Sequence, residues 1–136
     1  MSGPEGKLTP TQHEILESVW AAGPNGATIA EIWEAISAKR AVARTTILNL
    51  VDRLEKRGWL TRRKTEGAFR YRAAADRDTT ARAMAGEFVD EYFGGAADQL
   101  VLSLLGGKRL CPEDLERIRR LLDQADEESQ PPEGGS

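Results

Sequence analysis

A mainly α fold interrupted by one small β-hairpin is predicted by three features of this sequence. Apolar residues recur at helical spacing in six separate stretches, short alternating runs occur between Trp59 and Arg72, and Gly/Pro/Asn clusters mark the joints. The hairpin follows the third helix, and only helices come after it.

Residues 1–7 are rich in Gly, Pro and charge and are expected to be flexible. Thr9-Pro10-Thr11-Gln12 then reads as a capping box with proline at the first helical position. The first helix carries Ile15, Leu16, Val19 and Trp20 on one face and stops at Gly23-Pro24-Asn25-Gly26. Thr28-Ile29-Ala30-Glu31 is a second capping box, opening a short helix with Ile29, Ile32, Trp33 and Ile36 on one stripe. A third helix is expected from Ala43 to Arg57, on the spacing of Ile47, Leu50, Val51 and Leu54, with Gly58 at its end. Trp59–Lys64 and Ala68–Arg72 read as two strands around a turn at Thr65-Glu66-Gly67. Alternation assigns Phe69 and Tyr71 to a packing face and Arg70 and Arg72 to a cationic one.

After Asp76 the pattern is wholly helical. Met84, Ala85, Phe88, Val89, Tyr92 and Phe93 form a broad stripe up to Gly94-Gly95. Leu100, Val101, Leu104 and Leu105 make a fifth helix closed by Gly106-Gly107, and Pro112, Glu113 and Asp114 open a sixth. Leu115, Ile118, Leu121, Leu122 and Ala125 give that helix an apolar face, and residues 129–136 are low-complexity and expected to be flexible. The predicted domains are therefore residues 8–75 and 76–128.

Composition narrows the function. The chain of 136 residues is the size of one domain, or of a small domain with an appendage. The run from Leu100 to Leu105 is too short to span a bilayer, and no secretory signal is evident, so a cytoplasmic protein without membrane association is expected. One cysteine and one histidine offer no internal disulfide and no metal cluster. With no glycine-rich phosphate loop after a strand, neither a cofactor nor an enzymatic activity is expected.

The charge is unevenly spread. The whole chain carries −3, yet Lys39–Arg72 holds eleven Lys/Arg against three Asp/Glu. Residues 1–77 hold thirteen basic and nine acidic residues, and residues 78–136 hold six and thirteen. A basic half suits phosphates, whereas an acidic half is repelled by them and is free to pair with another subunit.

Three helices and then a hairpin is the order of a winged helix-turn-helix, in which the third helix enters the major groove and the hairpin lies along the flanking backbone. Turning Ile47, Leu50, Val51 and Leu54 inward leaves Arg44, Thr45, Thr46, Leu48, Asn49 and Arg53 available to DNA, beside Asp52 and Lys56. Asn bonds adenine bidentately, Thr offers a hydroxyl and a methyl, and Arg44 can reach guanine or phosphate. Arg62, Arg63, Lys64, Arg70 and Arg72 suit phosphates better than bases. For any one of these residues a solvated face is an adequate explanation; the combination of short helices, outward Thr/Asn and cationic hairpin is not explained that way.

These residues also carry a resemblance. Leu8-Thr9 with Glu14–Trp20, Thr45-Thr46-Ile47 with Leu50 and Arg53-Leu54, the hairpin through Tyr71, Phe93-Gly94-Gly95 and Leu100-Val101-Leu102 resemble the penicillinase repressor family, the BlaI/MecI/CopY type of bacterial transcription regulator, across residues 8–125. The resemblance implies a homodimeric repressor whose winged helices bind a palindromic operator in double-stranded DNA and whose C-terminal helices intertwine. Phe88, Tyr92, Leu100, Leu104, Ile118 and Leu122 are the expected buried contacts, since a monomer offers those stripes little cover.

Three departures from the family pattern stand out. Ser103-Leu104 occupies the position of the Asn-Phe bond cleaved in β-lactam-responsive members, which counts against induction by that cleavage and leaves any upstream protease or sensor unidentified. Copper-responsive relatives carry a Cys-X-Cys pair near the C-terminus, whereas this chain has only Cys111, which counts against copper sensing by that route. Ala43 replaces a helix-capping Ser. Cys111 sits at a helix start that can lower a thiol pKa, but without a resolving cysteine a surface thiol with no role is the simpler reading, and His13 reads as a packing residue. The alternatives are a MarR-like regulator released by a small ligand, and a winged helix that binds protein instead of DNA.

Overall fold

The structure is a computed structural model that describes residue 4 and residues 6–129. Its elements run α1 (Pro10–Ala22), α2 (Ile29–Ser37), α3 (Arg44–Lys56), β1 (Leu60–Thr65), β2 (Ala68–Ala73), α4 (Arg77–Phe93), α5 (Ala97–Gly106) and α6 (Pro112–Ser129). Of the termini expected to be flexible, residues 1–3, 5 and 130–136 lie outside the described residues. At the margins, the Lys7 carbonyl accepts a hydrogen bond from Arg57, and the Ser129 hydroxyl donates to the Asp126 carbonyl at 3.1 Å, so α6 extends through Ser129.

The chain divides into two compact units, Met1–Glu87 and Phe88–Ser136, and the division falls inside α4, later than the change of pattern at residues 75–76. In the first unit both capping boxes form. The Gln12 and Glu31 amides donate to Thr9 Oγ1 and Thr28 Oγ1 at 3.2 and 3.1 Å, and the Thr9 and Thr28 amides donate to Gln12 Oε1 and Glu31 Oε1 at 3.0 and 2.9 Å. These reciprocal bonds satisfy amides that a helix start otherwise leaves open. Ile15, Leu16 and Val19 of α1, Ile32 and Ile36 of α2, Ile47, Val51 and Leu54 of α3, and Trp59, Leu60 and Tyr71 around the hairpin make one buried core. Each fully buried aliphatic side chain contributes roughly 1.5–3 kcal/mol of transfer free energy.

The strands pair antiparallel from Leu60↔Ala73 to Thr65↔Ala68. Glu66 and Gly67 form the turn with φ of 53° and 82°, the pair of positive angles that matches the twist of a two-residue hairpin. Tyr71 also exchanges backbone hydrogen bonds of 3.0 and 2.8 Å with Ala27, which brings the α1–α2 turn against the hairpin. A Cβ on Gly26 would stand 2.4 Å from the Tyr71 carbonyl oxygen, so only glycine fits there. The α2–α3 turn is held by Trp33, whose Nε1 donates to the Val42 carbonyl at 2.8 Å, and by Arg40, which reaches Glu14 and Thr11 of α1 at 2.8 Å each. The start of α4 is tied to α1: Trp20 Nε1 donates to the Ala75 carbonyl at 3.0 Å, and Arg77 pairs with Glu17 at 2.8 Å. Asp76 caps α4 by accepting from the Thr79 amide at 2.7 Å, and hydrogen bonds from Thr79 hold its carboxyl below the usual carboxylate range.

The second unit holds the end of α4, then α5 and α6. Phe88 lies against Tyr92 and Phe93, with ring centroids 5.0 and 5.9 Å apart. Gly94 and Gly95 close α4 in left-handed backbone. α5 closes at Gly106-Gly107 as expected, with Gly107 as the cap in a negative φ, and the next residue, Lys108, takes the left-handed conformation at 57°. Arg109 then donates to the Leu104 carbonyl at 3.0 Å, which caps that end without requiring glycine at the turning residue. Neither α5 nor α6 buries a residue. No helix among the described residues is long and apolar enough to cross a membrane.

Candidate nucleic-acid interface

α3 turns Ile47, Val51 and Leu54 into the core, and the 3.6-residue repeat leaves Arg44, Thr45, Thr46, Leu48, Asn49 and Arg53 exposed on its other faces. Leu48 is 49% exposed, an apolar side chain in solvent beside Thr45 and Asn49. Within this helix Asp52 pairs with Lys56, at 3.0 Å.

The start of α3 is built against the usual rules. Ala43 supplies no capping hydrogen bond, no acid lies in the first turn, and Arg44 places a cation at the positive end of the helix dipole. In an isolated domain this combination is mildly unfavourable. An approaching phosphate reverses it, since it accepts from open amides and pairs with Arg44.

The basic stretch is less free than its composition implies. Arg40 is paired with Glu14 at 2.8 Å and Arg62 with Glu55 at 3.3 Å, and the Arg62 guanidinium lies 4.3 Å from the centroid of Phe69. Arg70 reaches both the Gly26 carbonyl and Glu31 at 3.3 Å, and Arg72 Nε donates to the Pro24 carbonyl at 2.7 Å. Arg63 and Lys64 are exposed, with side chains that make no ion pair among the described residues.

The expected division of the hairpin into a packed face and a cationic face therefore needs correction. Tyr71 is buried, but Phe69 is 43% exposed, because it pairs with Lys64 near the turn, beyond the reach of the core. Arg70 is half-buried, and its contacts run inward. Glu31, Glu55 and Phe69 were not among the expected site residues. Glu31 was visible only as a capping-box carboxylate, and nothing in its local pattern marks its second partner.

Of the residues expected in a dimer contact, Phe88, Tyr92 and Leu122 are exposed, while Leu100, Leu104 and Ile118 are half-buried. Leu102, Leu105 and Leu121 are exposed as well.

The profile of the penicillinase repressor family matches residues 8–124. The chain belongs to that family. The methicillin resistance regulatory protein MecI of Mammaliicoccus sciuri is 23% identical over 118 residues, covering 87% of this chain and 94% of that protein. The penicillinase repressor of Staphylococcus aureus is 24% identical over 123 residues, covering 90% and 96%. Among solved structures, MepR, a transcription regulator of the Staphylococcus aureus multidrug efflux pump MepA, aligns with a TM-score of 0.52 at 19% identity, over 91% of this chain and 82% of that one. That likeness is one of fold, and it agrees with the winged helix-turn-helix of this repressor. The repressor's candidate interface is thus an uncapped α3 with a mostly polar outer face, flanked by a wing on which Arg63 and Lys64 make no ion pair among the described residues.

Proposed function

We propose that this repressor is a cytoplasmic, non-catalytic homodimer that binds double-stranded DNA at a palindromic operator and blocks transcription by occupying it. The observation that carries the reading is α3: its exposed face holds Thr45, Thr46, Leu48 and Asn49 for base edges, and its open first turn holds Arg44 for phosphate. Arg63 and Lys64 on β1 extend the cationic surface along the backbone. The exposed apolar side chains of α4, α5 and α6 support the dimer, since large apolar side chains left in solvent on three helices call for cover. Two copies related by a two-fold axis present two α3 helices, which read a palindrome with half-sites one DNA turn or a multiple apart.

Selection from a library of random duplexes at two salt concentrations tests this. Recovery of a palindrome, with affinity falling steeply as salt rises, is the expected result. No enrichment together with salt-independent binding would sink the DNA reading and favour a protein partner.

A further inference from the structure

Strand alternation puts Arg63, Arg70 and Arg72 on one face of the hairpin. That face turns toward the α1–α2 turn: the three arginines line a groove of about 1030 Å³ together with Asn25, Glu31 and Glu66. Arg70 spans it to the Gly26 carbonyl and Glu31 Oε1, and Arg72 crosses to the Pro24 carbonyl. Glu31 Oε1 is the same oxygen that accepts from the Thr28 amide, so one carboxylate both caps α2 and anchors β2. Beneath these contacts, the Ala27–Tyr71 pairing and the absence of room for a Cβ on Gly26 keep turn and hairpin in direct backbone contact.

From this geometry we propose that Arg70, Arg72 and Glu31 form a clamp that sets the angle of the wing, and that Arg63 and Lys64 are the wing cations that meet phosphate. The clamp residues then act on DNA only through those two side chains. This inference rests on the DNA-binding reading. A two-stranded hairpin has little stability of its own in water, and a mobile wing loses conformational freedom on docking, so anchoring it in advance favours binding. A planar guanidinium suits the task because its fork reaches a carbonyl and a carboxylate at once. Were Arg70 to swing out to a phosphate, it would leave a carbonyl and a carboxylate behind, and the exchange would gain little.

The test uses Arg70→Gln and Glu31→Gln, each in the native background and in an Arg63→Gln/Lys64→Gln background. Gln at position 31 keeps an acceptor for the Thr28 amide, so α2 stays capped. Hydrogen exchange on the free protein is expected to quicken several-fold for amides of residues 61–72 in both single variants, with the α1 and α3 core unchanged. On a mixed-sequence duplex, both variants should bind more weakly than the native protein with the same salt slope, and should cost nothing further once Arg63 and Lys64 are gone. A salt slope reduced by about 0.9 in Arg70→Gln would make Arg70 a phosphate contact and overturn the clamp. Unchanged hairpin exchange, or a loss that persists in the doubly substituted background, would overturn it too. If the native protein itself showed no salt-dependent duplex binding, the DNA reading would fail, and hydrogen exchange alone would decide the clamp.

Discussion

Ile47, Val51 and Leu54 on α3 and Leu100, Val101, Leu104 and Leu105 on α5 follow the same helical spacing, but they meet different surroundings. The first three are completely covered, whereas Leu100 and Leu104 are half-buried and Val101 and Leu105 are exposed. In the winged-helix unit, three helices and a hairpin converge from separate directions and close a core within one chain. α5 and α6 have stripes of comparable quality, yet no residue in either is buried. The lesson is that an apolar stripe specifies a need for cover without specifying who supplies it. For the first unit the supplier is the same chain; for the second, the proposed supplier is another copy, which makes its stability depend on protein concentration.

The largest expected effect lies in the covered unit. Leu54→Ala empties a fully buried position and should cost about 2–5 kcal/mol in chemical denaturation. A loss below ~1 kcal/mol would show the core to be as loosely covered as α5, and would break the contrast. Next comes Leu122→Asp, at a side chain 61% exposed in the single chain. It should weaken self-association roughly thirtyfold or more, the equivalent of an interface hot spot of about 2 kcal/mol, and leave the winged-helix unit's denaturation midpoint alone. Sedimentation that stays dimeric at low concentration would remove α6 from the interface.

The smallest effect is acid fraying of α6. Hydrogen bonds from the Cys111 side chain and amide, with Arg117 beside it, hold the Asp114 carboxyl below the usual aspartate range. A lowered folded-state pKa means that the stabilisation is fully present above the ordinary value of about 3.9 and disappears as pH falls through the folded value. Amide exchange at the first turn of α6 should therefore quicken only in that acidic window, and Asp114→Asn should abolish the dependence.

Much of the fold could be read locally. Thr9 with Gln12 and Thr28 with Glu31 announce helix starts because each cap is closed within four residues of chain, and the exposed residues of α3 follow from its period alone. What escaped depends on distant partners. The alternation of β2 separates Arg70 from Phe69, but it does not say that Glu31 and Gly26 wait on the arginine side, or that Phe69 stands too near the turn to reach the core. The glycine pair marks the end of α5, but it does not say that a hydrogen bond from Arg109 to Leu104 puts the left-handed residue at Lys108. The interface was legible as far as exposure and charge. Which cations are already engaged by carboxylates on other elements was not.

All three tryptophans of the chain belong to the first unit: Trp20 bonded to Ala75, Trp33 to Val42, and Trp59 buried beside Leu60. Beyond residue 87 the large aromatic side chains are Phe88, Tyr92 and Phe93. Indole fluorescence therefore reports one unit and is blind to the other, whereas far-ultraviolet ellipticity registers α4, α5 and α6 as well. A titration in which ellipticity falls before emission shifts would separate the two units optically, with no label attached.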